Sequence, residues 1–371
     1  MFSWQHGSYD AMIDASVRNI SGHLQILNKE YRKNPSIRRV VKTPERFSEL
    51  LNDDLIDAYT YRAEAFVLLS SNTRTYGALV TGVVPEREAQ MSNVLKVLRK
   101  GNYLDMKYPN QVVIGSILAQ NLKVDIGDDL VLLGQAKDGS SAAAIVSVGG
   151  IAESGQAEID RNLLQMPLSV FDELFCMQGA VHRIVINTRD LDSVELLKAK
   201  LKSNVEEDDL LVQSWDELIP GIKQSIELDL ISGYFFYGFL LLIVTFSIMN
   251  TFLMSVMERT HEFGIMRCVG MTPHRIVFLV LLEAFMLALT SVIIGSLLGI
   301  VVSLWTQHVG IKIPDSEDIM ASYGLAERIY PKLSWLIVSL APILLLFITT
   351  LSCLYPAWKA SKLQPIDALK K

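Results

Sequence analysis

Three cysteines stand in the whole sequence, Cys176, Cys268 and Cys353, and no CxxC spacing or Cys/His cluster occurs. That scarcity argues against a disulfide scaffold and against a zinc site. Concentrated positive charge is missing too. The 34 Lys and Arg face 40 Asp and Glu, for a net charge of −6 spread along the chain, a balance that argues against a nucleic-acid partner. The strings GxxxxGK[ST], GxSxG and HExxH are all absent, so the sequence writes neither a nucleotide site nor familiar hydrolase chemistry, and the chain does not read as an enzyme. His6, His23 and His182 are isolated, and the run Glu206, Glu207, Asp208 and Asp209 reads as a solvated loop rather than an acid/base pair. The opening MFSWQHGSYDAMID has no basic stretch followed by an apolar one, so it is not a signal peptide.

What is abundant is hydrophobicity, gathered into three blocks. Half of the residues are apolar. Runs at about 231–257, 276–305 and 333–358 carry one charged residue, Glu283, and each exceeds the roughly 20 residues that cross a hydrocarbon core. They are read as spanning helices. Arg259, Arg267 and Arg275 lie between the first two runs, and Lys359, Lys362, Lys370 and Lys371 follow the third. The remaining loop sets Lys312, Arg328 and Lys332 against four acids. The bias places the first loop and the tail in the cytoplasm and everything before the first run outside. With no signal peptide to carry that part across, a further spanning helix ahead of Met1 is expected, with Phe2, Trp4 and Tyr9 as its interfacial belt. The chain then reads as lacking its first span.

Four segments follow. Residues 1–21 are membrane-proximal, 22–213 form an extracytoplasmic α+β domain, 214–230 an amphipathic stalk, and 231–371 the transmembrane domain, with a cytoplasmic loop at 258–275. Within the outer domain the pattern predicts strands at His23–Leu27, Tyr59–Leu69, Thr75–Val84, Asp129–Leu133, Ala142–Ile151 and His182–Asn187. It predicts helices at Glu86–Arg99, Ser116–Leu122, Ser169–Phe175 and Ser193–Ser203, with Ser169 and Ser193 as N-caps. In the stalk, Trp215, Leu218, Ile222, Ile226 and Leu230 share one helical face, with a kink expected at Pro220 and Gly221. Two readings stand: a stiff connection that carries displacement, or a helix packed on its own domain.

The loop ERTHEFGIMRCVGMTPHR predicts a short helix with Phe263, Ile265, Met266 and Val269 on one face and Arg259, Glu262 and Arg267 exposed elsewhere. Gly270 stops it, and Thr272 caps a new helix whose first residue is Pro273. Such an element either enters a cleft on a cytoplasmic partner or only closes a hairpin at the membrane surface. In the second run, Ser291, Gly295, Gly299 and Ser303 recur every four residues. Small residues so spaced let helices approach closely in lipid, at a seam with a second subunit or within one subunit. Glu283 is open to a functional or a structural role.

The string Glu258-Arg259-x-x-Glu262-Phe263-Gly264-Ile265-Met266-Arg267-x-x-Gly270 resembles the coupling-helix signature of the FtsX-like permease family, which includes the MacB exporters and the LolC and LolE permeases. Tyr355-Pro356-Ala357-Trp358-Lys359-Ala360-Ser361-Lys362-Leu363-Gln364-Pro365-Ile366-Asp367-Ala368-Leu369 is similar to that family's closing segment. Gly115-x-x-Leu118-Ala119-x-x-Leu122-x-Val124-x-Ile126-Gly127-Asp128-x-Leu130 resembles an element of the MacB-type periplasmic domain. The opening Ser21-Gly22-His23-Leu24-Gln25-Ile26 looks most like the lipoprotein-release branch.

The resemblance implies four spans, of which this sequence holds the last three. It implies a dimer of permeases, alike or different, in the bacterial inner membrane, with the large domain in the periplasm and a separate ABC ATPase below. No cofactor binds this chain directly; ATP and Mg2+ belong to the ATPase. Glu258, Arg259, Glu262, Phe263, Gly264, Met266, Arg267 and Gly270 would form the ATPase contact and relay its motion outward. The implied task is lipoprotein release, with a lipoprotein cargo and a periplasmic carrier as partners beside the membrane lipids. MacB-like export and FtsX-like regulation of an envelope enzyme are the alternatives. A secondary transporter fits less well, since three spans show no inverted repeat.

Overall fold

The computed structural model describes residues 21–95, 97–205, 209–310, 330–331 and 335–362, with residues 5, 7–9, 12, 13 and 17 ahead of them. Phe2 and Trp4, Glu206–Asp208, Lys312, Arg328, Lys332 and the tail from residue 363 lie outside the described residues. The chain divides into two compact units, one built on Asp10–Lys223 and the other on Gln224–Lys312 and Arg328–Lys371.

The first unit is a mixed sheet of ten described strands: β1 (Leu24–Asn28), β2 (Ile56–Ser70), β3 (Thr75–Val83), β4 (Leu98–Gly101), β5 (Gln111–Gly115), β6 (Asp129–Gln135), β7 (Ser141–Ala152), β8 (Leu163–Pro167), β9 (Arg183–Thr188) and β10 (Leu210–Ser214). Six of them close on themselves. β2 pairs β3, β3 pairs β8, β8 pairs β5, β5 pairs β7, β7 pairs β6, and β6 returns to β2. Alternation drives the closure. Val67 and Leu69 of β2, Val80 of β3, Ile114 of β5, Leu132 of β6 and Val146 of β7 all point into one apolar core, as the two-residue period of a strand dictates.

β2 is long enough to serve twice. Its first half pairs β9, and the sheet continues through β1 to β10. The helix α1 (Val194–Val205) covers this second layer. Its Leu197 and Leu201, four residues apart, pack with Leu24, Ile26, Ile184 and Ile186. The chain therefore enters this body at Leu24 and leaves it at Ser214, which are paired neighbours.

All six expected strands are present, but β4, β5, β8 and β10 carry no expectation from sequence. The helix expected over Glu86–Arg99 stops early: Pro85–Met91 is helical and Ser92 turns extended. The Ser92 hydroxyl donates to the Glu88 carbonyl, local competition that disfavours continuation. Ser169 is not an N-cap; Pro167 holds that place, and Ser169 is the second residue of the helix Leu168–Leu174. Pro220 does not kink a helix. Ser214 and Glu217 form a capping box on Trp215–Leu218, Ile219 breaks the turn, and Pro220 starts a new helix, a position where its missing N–H costs nothing.

Among the described residues, two buried ion pairs sit in the first unit. Arg62 binds Glu88 at 2.6 Å, with Glu88 fully buried. Glu64 binds Arg183 and accepts from the Tyr31 hydroxyl at 2.8 Å. Burial opposes the charge on Glu64, but Arg183 outweighs it and holds the carboxyl below its ordinary range. His182 accepts the Glu64 N–H through Nδ1 at 2.9 Å, and burial pushes its pKa down to about 4. The unfolded chain therefore binds a proton that the folded one refuses. The stability that His182 supplies is present above pH 6.5 and is lost as pH falls toward 4. Urea midpoints measured across that window are expected to fall with pH in the parent and to flatten in His182→Gln.

The second unit holds the helix α2 (Pro220–Glu258) from Gln224 onward, with α3 (Thr260–Cys268), α4 (Pro273–Val309), α5 (Trp335–Ser352) and α6 (Leu354–Ser361). Three stretches, Pro220–Glu258, Pro273–Val309 and Ala341–Ser361, are long and apolar enough to cross a membrane. α4 packs along both α5 and α6. Ile222, Ile226 and Leu230 are the half-buried positions in the first turns of α2, as their spacing requires.

Candidate functional site

α3 is set between two long helices by its own caps. Glu258 ends α2, Arg259 breaks the helical geometry, and α3 starts at Thr260. At the far end Gly270 takes φ +100°. Its N–H donates to the Arg267 carbonyl at 3.1 Å, and the Met271 N–H donates to the Met266 carbonyl at 3.0 Å. These two bonds form a Schellman closure, which needs a left-handed residue at that point and so favours glycine. Thr272 and Pro273 then open α4.

The inner face of α3 is Phe263 and Gly264. Phe263 is 1% exposed and enters a core with Val256, Ile276, Val280, Ala357 and Ala360, with Met266 packed at its edge. The tip is thus held by the first turns of α4 and by α6. Ile265 and Val269 do not join this face, contrary to the sequence reading; they are 46% and 84% exposed. The helical period explains it. Six residues advance roughly 240° at 100° per residue, so Val269 lies away from Phe263 and beside Ile265. Arg267 is also tied into the chain. It is half-buried, and its Nη1 donates to the Ser361 carbonyl at 3.0 Å, at the end of α6, where a cation complements the helix dipole. Glu258 and Glu262 are exposed.

Arg259 is the hub where α3 meets α4. Its Nε donates to Glu262 at 2.8 Å, and its Nη1 reaches both oxygens of Glu283 at 3.0 and 3.1 Å. Glu283, the one charge within the three apolar runs, is therefore the counter-ion of the signature arginine. Nothing in the spacing shows this, because the partners are 24 positions apart on different helices. Arg259→Gln leaves that carboxylate unpaired ten residues past the start of α4. It is expected to cost about 1–2 kcal/mol, below the roughly 3 kcal/mol of a charge at mid-bilayer. Arg259→Gln with Glu283→Gln is expected to recover most of the loss, read as thermal stability of the detergent-solubilised chain.

Ser291, Gly295 and Gly299 form an exposed line along α4, with Ser303 half-buried. A Cβ added at Gly295 or Gly299 meets no atom within 4 Å among the described residues.

Among the described residues the geometry gives three candidate membrane spans, the first two joined by a short helix with a charged and apolar outer surface. Residues 1–204 match the MacB-like periplasmic core domain, and residues 234–365 match the FtsX-like permease C-terminal domain. The lipoprotein-releasing system transmembrane protein LolC of Xylella fastidiosa is 23% identical over 318 residues, covering 81% of this chain and 75% of that protein. LolE of Haemophilus influenzae is 20% identical over 373 residues, covering 97% and 88%. The crystal structure of the periplasmic region of MacB from Actinobacillus actinomycetemcomitans aligns at a TM-score of 0.40 and 17% identity, over 57% of this chain and 95% of that one. This chain belongs to the FtsX-like, MacB-type family of ABC transporter permeases.

Proposed function

We propose that this chain is the membrane subunit of an ATP-driven machine that releases lipoproteins from the bacterial inner membrane. A separate ABC ATPase binds the cytoplasmic tip, and its closure moves the tip. The outer domain then acts on a lipoprotein cargo and passes it to a periplasmic carrier. ATP and Mg2+ are held by the ATPase. The reading of the cargo draws on the names of the relatives, both of which belong to lipoprotein-releasing systems.

The observation that carries the coupling is the shape of α3. One face is anchored in the permease by Phe263, and the opposite face leaves Ile265 and Val269 in the open between charged residues. Exposed apolar side chains rimmed by charge mark protein interfaces. Arg259, Arg267 and Gly270 then act on the tip's shape, while Glu258 and Glu262 steer the encounter. The open line at Ser291, Gly295, Gly299 and Ser303 supports a seam with a second permease, alike or different. The test is co-purification: detergent extracts of cells carrying the tagged chain should yield an ABC ATPase and a lipidated protein. A chain that comes out with neither overturns the reading.

A further inference from the structure

A cleft of about 760 Å3 opens beside the tip in the second unit. Its basic side is Arg267 of α3, His274 in the first turn of α4, and Lys362 just past α6. Its apolar side is Leu354, Tyr355 and Trp358 of α6. None of the described lining residues is acidic. Two contacts fix the walls. Arg267 is held by the Ser361 carbonyl at 3.0 Å, and the Lys362 ammonium lies 3.9 Å from the centre of the Trp358 ring. Tyr355 and Trp358 are about half exposed, so the apolar side is open.

The cleft is therefore divided, with basic side chains at one end and an aromatic and aliphatic wall at the other. It lies where α4 begins and the third apolar stretch ends, which is the level of lipid headgroups when those helices span. Trp and Tyr favour that level, and basic pockets between spanning helices hold anionic headgroups. We propose that this cleft binds an anionic phospholipid of the cytoplasmic leaflet, its phosphate between Arg267, His274 and Lys362 and its glycerol and upper acyl chain against Trp358 and Leu354. The lipid then ties α3 to α6 at the base of the tip. The assignment rests on the orientation proposed above.

The test uses the full chain in detergent, supplied with phosphatidylglycerol or phosphatidylcholine and read by native mass spectrometry. Phosphatidylglycerol should be retained in preference. Lys362→Gln should weaken its retention about fivefold, the worth of one cation at an anionic surface. Lys362→Arg should restore it, and Lys359→Gln, whose side chain is outside the cleft, should leave it unchanged. Equal retention of the two lipids overturns the proposal, as does an equal effect of Lys362→Gln and Lys359→Gln. Displacement of the lipid by inorganic phosphate would make this a free-phosphate site, and displacement by the ATPase would make it part of a protein interface; either result also overturns it. The orientation fails separately, by labelling of the exposed Cys268 with an impermeant maleimide from outside the cell.

Discussion

Val269→Asp is expected to strip the ATPase from the permease while leaving the permease in the membrane. Val269 is 84% exposed and makes no part of the core under α3, so a carboxylate there costs the isolated chain little. At an interface it places an unpaired charge where an apolar anchor belongs. Central anchors are worth about 2 kcal/mol or more, which corresponds to roughly a 30-fold loss in affinity. Ile265→Asp should act in the same direction, and the pair should abolish co-purification. Glu262→Lys should change mainly the rate and salt dependence of association. Arg267→Glu is a poorer probe, because it also breaks the bond to Ser361. The measurement is ATPase pull-down against membrane-inserted permease. Undiminished pull-down by the Ile265→Asp, Val269→Asp double variant would remove α3 as the coupling element.

The second large effect is expected in the outer domain. Glu88→Ala removes the buried carboxylate that binds Arg62, a loss of about 3–5 kcal/mol. In a body of this size that lowers the melting temperature by on the order of 10 °C. Arg62→Leu with Glu88→Leu should recover much of it, since two apolar side chains leave no charge to solvate. Thermal unfolding of the full chain in detergent reads both. A double variant no better than Glu88→Ala would show that the salt bridge supplies more than mutual neutralisation.

The sequence shows some of these features and hides others for physical reasons. The spans are legible because twenty apolar residues in a row have few other uses. β2, β3 and β7 are legible because long alternation is a strong signal. β5 and β8 are short, and β8 ends in Pro167, so each looks like a loop until its neighbours supply the ladder. The closure of six strands is invisible, because a ring is a property of pairing between distant segments. At the tip, Gly270 and Pro273 were readable from their backbone needs. The direction of Val269 could have been read by counting degrees rather than apolar residues. The Arg259–Glu283 and Arg267–Ser361 pairings could not, because each joins helices far apart in the chain.

The adjacency of Leu24 and Ser214 has a mechanical consequence. The two ends of the outer body emerge on bonded, oppositely running strands. A displacement applied to both ends together carries the body along without opening a single rung. A displacement that separates them peels the β1–β10 ladder one rung at a time, the weakest way to load a sheet. Such a body is built to be tilted or lifted as a piece, and a motor that pulled its two stems apart would unzip it before moving it.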